Sequence, residues 1–337
     1  MTTYFRKAEH FNKHFGSVNK SNKQDNLHKG LKSALKDKER DLTAPVIFEE
    51  EITEMDLNKA IKKLKKKKAP GPDKVHNEML INLGKLGKTV LLKLYNKSWL
   101  EGDLPKAWKL ATINPILKKG KEATHPKNYR PISLTSCIGK LCERIMNSRL
   151  YWWLESSGLI SHCQAGFRSK SRTEDQLFRL TQNIIDGFQK EEHTTAVFID
   201  LQQAYDRVWR KGLLLKMQKM GIKGHMYSWI KSFLTDRLIQ TQMNNTLSSK
   251  AVLEEGLPQG SSISCTLFLV FLNDVSDILK CDKALFADDL VLWHTGKSTL
   301  ISRRRLQDNL NSLCVYCRLW KMKVNCTKTV YSVFTRS

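Results

Sequence analysis

Two adjacent aspartates, Asp288 and Asp289, separate two short apolar segments, 284–287 and 290–293. Apolar segments only two residues apart are typical of a β-hairpin, but Asp-Asp lacks the glycine that usually permits so tight a turn. The two carboxylates repel each other there, and no Lys or Arg adjoins them in the sequence. A divalent cation would relieve the repulsion, and Mg²⁺ prefers one or two carboxylates together with phosphate oxygens. The alternative is a polar hairpin tip.

A third carboxylate, Asp200, directly follows an apolar, partly β-branched segment, 195–199, which predicts a buried strand. A helical pattern with Ala204 and Val208 comes next. Such a junction suits a functional carboxylate, whereas Asp is also a good helix N-cap, so Asp200 alone leaves both interpretations open. With the hairpin pair it would complete three carboxylates, enough for two ions about 3.5–4 Å apart in two-metal phosphoryl transfer.

A glycine-containing stretch at 256–262 precedes an apolar, helix-like segment at 263–272. Within it, Gly260 lets the backbone approach a ligand closely, and Gln259 can both donate and accept hydrogen bonds. Taken alone, the stretch is equally well interpreted as a turn before a helix.

The charge balance indicates the class of partner. Lys and Arg number 57 against 33 Asp and Glu, a formal net charge of +24, and nucleic acid is the usual partner of so basic a chain. A membrane protein would need about 20 apolar residues to span a bilayer, and the longest apolar run is 265–272. Residues 1–13 lack the apolar core of a secretory signal. We therefore predict a nuclear and/or cytoplasmic protein that is not secreted and has no transmembrane segment.

Helical and strand-like patterns are mixed along the chain and predict an α+β architecture. Residues 1–45 are polar and weakly periodic, which favours a loosely ordered basic extension. Thr53 begins a helix with a capping-box-like start, and the run 65–68 after it is either a solvated face or a set of phosphate contacts. Short strands are predicted within 108–134 and a helix over 139–154.

Two other motifs in the sequence give little support to a functional site. Cys314 and Cys317 form an isolated C-x-x-C with no matching His, so no zinc site is expected there. The Gly-Lys-Ser at 296–298 lacks the upstream glycine of a phosphate-binding P-loop.

Seven segments, in order along the chain, resemble the reverse transcriptases of non-LTR (LINE-type, jockey-like) retrotransposons. They are Lys68–Asp73, Asn128–Leu134, Gln164–Arg168, Asp200–Trp209, Leu257–Ser261, Phe286–Asp289 and Leu310–Phe334. The resemblance implies a right-hand polymerase with fingers and palm, in which helices pack an RRM-like antiparallel palm sheet. It also implies an RNA-directed DNA polymerase (a nucleotidyltransferase) that takes an RNA template, a DNA primer and dNTPs.

The resemblance assigns the three carboxylates to metal binding. Asp200, Asp288 and, less strictly, Asp289 would hold two Mg²⁺ ions, or Mn²⁺ in their place. One ion would lower the pKa of the primer 3′-OH, and the other would neutralise the nucleotide phosphates and the leaving pyrophosphate.

Five further residues gain roles by resemblance. Tyr205 matches the gate that excludes a ribose 2′-OH, although an ordinary aromatic on a helix is the alternative. Arg130 matches the finger arginine that binds the triphosphate, and Gln259 with Gly260 matches the loop beside the nascent base pair. Lys328 resembles a lysine proposed to donate a proton to pyrophosphate, but a surface lysine is an equally good interpretation.

By the same resemblance, fingers occupy 46–193 and the palm occupies 194–337, with the thumb missing. Because a thumb supplies phosphate contacts, we expect weak or no processive synthesis without one.

Three rivals remain. A viral RNA-dependent RNA polymerase shares the palm, but its residue near Tyr205 is typically polar. A group II intron maturase is a further possibility, although the amino-acid sequences of the motifs are closer to those of LINE elements. A catalytically weak or inactive RNA-binding fragment of a transposon is the rival from another class, and the intact Asp200, Asp288 and Asp289 argue against it.

Overall fold

The structure, a computed structural model, describes residues 2–20 and 44–336. The chain forms two compact units, each built from two stretches of sequence. The first comprises Met1–Trp153 and Trp209–Leu267, and the second comprises Leu154–Val208 and Phe268–Ser337. The predicted boundary between fingers and palm at 193/194 concerns functional subdomains and stays a prediction.

Helices and strands alternate irregularly. The helices are α1 (Thr2–Val18), α2 (Glu54–Lys62), α3 (Asn77–Ile81), α4 (Lys85–Glu101), α5 (Lys106–Lys109), α6 (Cys137–Ser156), α7 (Thr173–Gln189), α8 (Arg210–Lys219), α9 (Gly224–Leu234), α10 (Ser264–Leu272), α11 (Val275–Ile278) and α12 (Thr299–Leu319). The strands are β1 (Leu110–Leu117), β2 (Tyr129–Leu134), β3 (His193–Ile199), β4 (Arg237–Met243), β5 (Thr246–Leu247), β6 (Ala251–Leu253), β7 (Asp282–Phe286), β8 (Asp289–Gly296) and β9 (Val330–Phe334). Short 3₁₀ helices span Val46–Phe48 and Pro126–Asn128. This mixture of helices and sheets confirms the predicted α+β class.

The sheet of the first unit has the order β2-β1-β4-β5, and β6 also pairs with β4. β1 is antiparallel to β2 and parallel to β4, so that Ile113 lies between Ser133 and Thr241. The short strands predicted within 108–134 are therefore confirmed as β1 and β2.

The predicted start of α2 is also confirmed. Thr53 Oγ1 accepts from the Asp56 amide at 3.1 Å, and Asp56 Oδ2 accepts from the Thr53 amide at 3.1 Å, a reciprocal capping box. The guanidinium of Arg149 on α6 lies 3.0 Å from the same Asp56 oxygen. Arg149 also donates to the backbone carbonyls of Glu50 and Glu51. One arginine thus fixes the start of α2 against α6.

The prediction of a loosely ordered extension is wrong for residues 2–18, which form α1. Phe11 and Phe15 recur one helical turn apart and pack in a buried cluster with Ile113 of β1 and Ile239 of β4. The apolar stripe is hard to see in the sequence because the polar Asn12 shares it. The same prediction also covered residues 21–43, which lie outside the described residues.

The second unit is built on an antiparallel sheet of order β7-β8-β3-β9. α7 and α12 pack against it. Because side chains alternate along a strand, Ala196 of β3 and Trp293 of β8 share one face and are buried with Leu180 of α7. In the parts of the chain that the structure describes, no helix is long and apolar enough to cross a membrane.

Candidate active site

The hairpin of β7 and β8 carries the aspartate pair, with its turn one residue earlier than predicted. Phe286 pairs with Asp289, which leaves Ala287 and Asp288 as the two turn residues. Ala287 takes a left-handed conformation with φ of 56°, which is uncommon for a residue other than glycine. The turn therefore replaces the missing glycine with an alanine that its surroundings must hold in place.

β3 brings Asp200 to the same end of the sheet. Ile199 pairs with Leu290 across the antiparallel β3–β8 ladder, so the residue after Ile199 lies beside the residue before Leu290. Those two residues are Asp200 and Asp289. Asp200 and the Asp288–Asp289 pair, almost ninety positions apart in the chain, thus meet at one end of the sheet because β3 is the direct neighbour of β8.

Asp200 is not a helix N-cap, because turns occupy 202–207 and α8 begins only at Arg210. Its carboxylate is held by the segment before β9. Asn325 donates from its side chain to Asp200 Oδ2 at 2.7 Å, and its amide donates to the Asp200 carbonyl at 2.8 Å. Lys328 Nζ lies 3.6 Å from the same Oδ2. The sequence shows no cation adjoining the aspartate pair, whereas the fold brings this lysine close to the site.

The carboxylates are electrostatically strained. Burial, followed by repulsion from Asp289 and Asp200, raises the pKa of Asp288 despite opposing effects of a backbone hydrogen bond and Lys328. Burial and repulsion from Asp200 raise the pKa of Asp289 as well, with Lys328 acting in the opposite direction. One lysine therefore does not neutralise the site, which retains a surplus of negative charge.

This surplus, carried by hard oxygen donors, fits a divalent cation. Asp200, Asp288 and Asp289 are the residues that would hold it. Within the described ranges, however, no three His, Cys, Asp or Glu side chains already have the geometry of a metal cluster. The ion sites are therefore taken up below as a proposal.

Tyr205 lies in the turns after Asp200 rather than on the helix that the sequence predicted. Its half-buried ring stacks on Phe268 with centroids 4.8 Å apart and planes 9° apart. Phe167 meets it edge-on at 6.2 Å and 87°. Two aromatic neighbours thus fix the orientation of the Tyr205 ring. A surface tyrosine without such neighbours would lack this fixed orientation.

A cavity of about 390 Å³ in the second unit adjoins two of the three carboxylates, Asp200 and Asp289. Lys328 also lines it, and most of the other lining residues are apolar, such as Leu177 and Phe198. The polar groups therefore face an accessible space.

Three of the predicted site residues lie in the first unit. Arg130 is an exposed residue of β2, opposite Ile116. The Gln259 carbonyl accepts from the Ser133 amide at 3.1 Å, which ties the Gln-Gly loop to the end of β2. Gly260 has φ of 109°, and a Cβ there would lie 2.9 Å from the Ser133 carbonyl oxygen. Only glycine satisfies both conditions.

The loop that carries Gln259 and Gly260 is anchored from behind by Glu143 of α6. Its Oε2 accepts from Ser261 Oγ at 2.6 Å and from the Ser262 amide at 2.8 Å. Glu143 is 3% exposed, so its buried carboxylate holds the loop through charge-assisted hydrogen bonds.

The predicted site residues thus fall into two groups, one in each unit. Asp200, Asp288, Asp289, Tyr205 and Lys328 lie in the second unit. Arg130, Gln259 and Gly260 lie in the first.

A family model for reverse transcriptase (RNA-dependent DNA polymerase) matches residues 116–335, which include every residue of both groups. The chain belongs to this family. Reverse transcriptases are metal-dependent enzymes, in agreement with the three carboxylates at one end of the sheet.

Curated relatives from Drosophila melanogaster agree with the family. The chain is 38% identical over 294 residues to a probable RNA-directed DNA polymerase from transposon BS, with 85% of this chain and 32% of the relative covered. It is 32% identical over 291 residues to the RNA-directed DNA polymerase from mobile element jockey, covering 84% and 32%. A probable RNA-directed DNA polymerase from transposon X-element is 30% identical over 273 residues, covering 80% and 30%. The chain spans about a third of the length of these relatives.

Four residues of this reverse transcriptase chain were not predicted as site residues. Gln164 and Gly166 contact the hairpin turn, Asn325 holds Asp200, and Glu143 anchors the Gln-Gly loop. The first three lie within segments that carry the family resemblance. The signal for Glu143 was an acidic residue on the apolar face of a predicted helix, where a charge needs a partner.

Proposed function

We propose that this chain is the RNA-directed DNA polymerase of a non-LTR retrotransposon, and that it adds dNTPs to a primer 3′-OH on an RNA template. The observation that carries the proposal is that Asp200 lies beside the Asp288–Asp289 hairpin at one end of the palm-type sheet. Membership of the reverse transcriptase family supports it. The basic charge of +24 supports nucleic acid as the partner.

Asp200, Asp288 and Asp289 would hold two Mg²⁺ ions, and Mn²⁺ in their place. When bound, the ions would lower the pKa of the primer hydroxyl and neutralise the phosphates of the nucleotide and of pyrophosphate. The chain's own part is to hold the carboxylates as charged oxygen ligands. Asn325 orients Asp200 by its bond to one oxygen, which leaves the other oxygen available.

Lys328 is proposed to donate a proton to the leaving pyrophosphate. Its Nζ lies 3.6 Å from Asp200 Oδ2, at the end of the sheet that carries the carboxylates, while its side chain is 69% exposed. Such a group can turn from Asp200 towards a phosphate that enters the site.

The remaining roles concern the nucleotide. Tyr205 is proposed to exclude the ribose 2′-OH with a ring that Phe268 and Phe167 hold in place. The exposed Arg130 is proposed to bind the triphosphate through its guanidinium. Gln259 and Gly260 would then lie beside the nascent base pair. We further propose a nuclear and/or cytoplasmic location for the protein.

Primer extension on an RNA template with dNTPs and Mg²⁺ tests the proposal. Asp288→Asn removes a proposed metal ligand and is expected to reduce extension by about a hundredfold or more. Asp282→Asn, an exposed change at the other end of β7, is the matched control and should leave extension unchanged. Extension that survives Asp288→Asn, or that prefers rNTPs, would contradict the assignment.

The nucleotide gate is tested in the same assay. Tyr205→Ala is expected to raise incorporation of rNTPs relative to dNTPs at least about tenfold, because the ring no longer blocks the 2′-OH. Tyr205→Phe keeps the ring and its stacking on Phe268, and should keep the discrimination.

The alternative function, a catalytically weak or inactive RNA-binding fragment of a transposon, is not favoured by relatives that are described as polymerases.

A further inference from the structure

The left-handed turn residue Ala287 is held by a single buried side chain. Gln164 Oε1 accepts from the Ala287 amide at 2.9 Å, and Gln164 Nε2 donates to the Ala287 carbonyl at 3.2 Å. Both backbone groups of the strained residue are therefore bound by one amide. This pairing fixes which end of the Gln164 side chain is oxygen, since only this orientation matches a donor and an acceptor.

Gln164 is itself held rigidly. Its Oε1 also accepts from the Gly166 amide at 2.8 Å, and the side chain is 5% exposed. On either side of it, the Cys163 carbonyl accepts from the Leu285 amide at 2.8 Å, and the Ala165 amide donates to the Leu285 carbonyl at 2.9 Å. Segment 163–166 thus runs along β7 like an additional short strand and brings Gln164 directly beneath the turn.

Gly166 shows how closely this segment approaches the turn. A Cβ at Gly166 would meet the Ala287 nitrogen at far less than contact distance, and would lie 2.8 Å from Ala287 Cα and from the Phe286 carbonyl carbon. These are backbone atoms, which cannot move aside as a flexible side chain can. Any displacement would therefore move the residue next to Asp288.

We infer that Gln164 is a positioning residue for catalysis, which clamps Ala287 in its left-handed conformation and so fixes Asp288 for metal binding. The hydrogen bonds of the clamp end one residue before the carboxylate. The alanine conformation is unfavourable in itself and persists only where the surroundings determine it. This inference rests on the proposed function and adds a positioning residue to it. Accurate placement of Asp288 matters only if the carboxylate binds a metal ion in the reaction.

Two measurements on the full chain test the clamp without requiring polymerase activity. Amide hydrogen exchange reports the Ala287 amide, and electron paramagnetic resonance of free Mn²⁺ reports metal binding. Gln164→Met, of similar size but without hydrogen bonds to the turn, is expected to speed Ala287 exchange and weaken Mn²⁺ binding by about tenfold each. The matched control is Gln240→Met, because Gln240 is also buried and bonded through its side chain, to Thr112 in the first unit. It should change neither measurement.

Gln164→Asn keeps an amide group but is one methylene shorter, so it cannot bind both the amide and the carbonyl of Ala287 as Gln164 does, and it should also speed exchange at Ala287. It covers the case in which Gln164→Met does not fold: exchange at Ala287 and Mn²⁺ affinity that both equal the wild-type values in a folded Gln164→Asn chain would overturn the clamp. Unchanged exchange in Gln164→Met, or faster exchange with unchanged Mn²⁺ affinity, would overturn it too.

Failure of the proposed function looks different. If Asp288→Asn binds Mn²⁺ as tightly as the wild type, the carboxylate metal site itself is wrong, whatever Gln164 does. If Asp288→Asn loses Mn²⁺ and Gln164→Met does not, the metal site stands and only the clamp fails.

Discussion

At the hairpin turn, Asp288 is half-buried, and its pKa is raised by burial and by repulsion from Asp289 and Asp200. A carboxyl group with a raised pKa favours the folded state in its protonated form. The free energy of unfolding therefore falls as the pH rises from the unfolded-state value of about 3.9 through the raised folded value. At neutral pH this residue destabilises the fold, as expected of a group kept for chemistry.

Asp288→Asn should accordingly raise the melting temperature at neutral pH in a buffer with a chelator, because it removes a strained charge. The gain should vanish below about pH 4, where the carboxyl group is protonated in both states. Added Mg²⁺ should stabilise the wild type and have less effect on the variant. Thermal unfolding by circular dichroism checks this, with the exposed Asp282→Asn as control; an equal or lower melting temperature for Asp288→Asn at neutral pH would contradict the electrostatic account.

At the scale of elements, α1 shows how a tertiary partner completes a weak sequence pattern. Asn12 lies on its buried face and bonds to the Ser249 carbonyl at 3.0 Å and to Thr241 Oγ1 at 3.2 Å. Both partners are more than 200 residues distant in sequence. A polar residue in the stripe is tolerated because its hydrogen bonds are satisfied, and no local pattern indicates that.

Phe15→Ala tests whether α1 belongs to the core of the first unit. Loss of this buried ring from the cluster with Phe11 and Ile239 should cost about 3–5 kcal/mol of unfolding free energy. Phe5 is on the same helix and 46% exposed, so Phe5→Ala should stay within about 0.5 kcal/mol of the wild type. Urea unfolding of the three proteins measures both values, and equal midpoints for the two variants would show that α1 is not packed as described.

For the whole molecule, the charge of +24 predicts binding to nucleic acid that depends steeply on salt. Between about 50 and 200 mM salt, affinity for a primer–template duplex should fall roughly a thousandfold if six or more phosphates are bound by basic side chains. Fluorescence anisotropy titrations at several salt concentrations give the slope. Asp288→Asn should keep the wild-type slope while losing extension, and parallel loss of both would contradict separate binding and catalytic surfaces.

The same titration decides the role of the lysine run at 65–68, which is exposed in the structure. Replacement of all four lysines by Gln should lower the salt slope by about one for each phosphate that these side chains neutralise in the wild type. An unchanged slope would identify the run as a solvated face.

The sequence by itself determined the chemistry and the local elements of this protein. Asp200 after an apolar strand, the hairpin around Asp288 and the capping box at Thr53 were all predictable, because strand periodicity, turn length and helix capping depend on near neighbours. The resemblance of seven short segments, in order along the chain, indicated the family for the same reason, because each segment is a set of near neighbours.

Tertiary structure alone decided what surrounds those residues. Lys328 and Asn325 reach Asp200 because the segment before β9 returns beside β3. Gln164 reaches Ala287 because segment 163–166 lies along β7. These interactions depend on strand order and on bonds between residues distant in the chain, which periodicity does not encode. The carboxylates can therefore be found in the sequence, but the groups that hold and balance them require the fold.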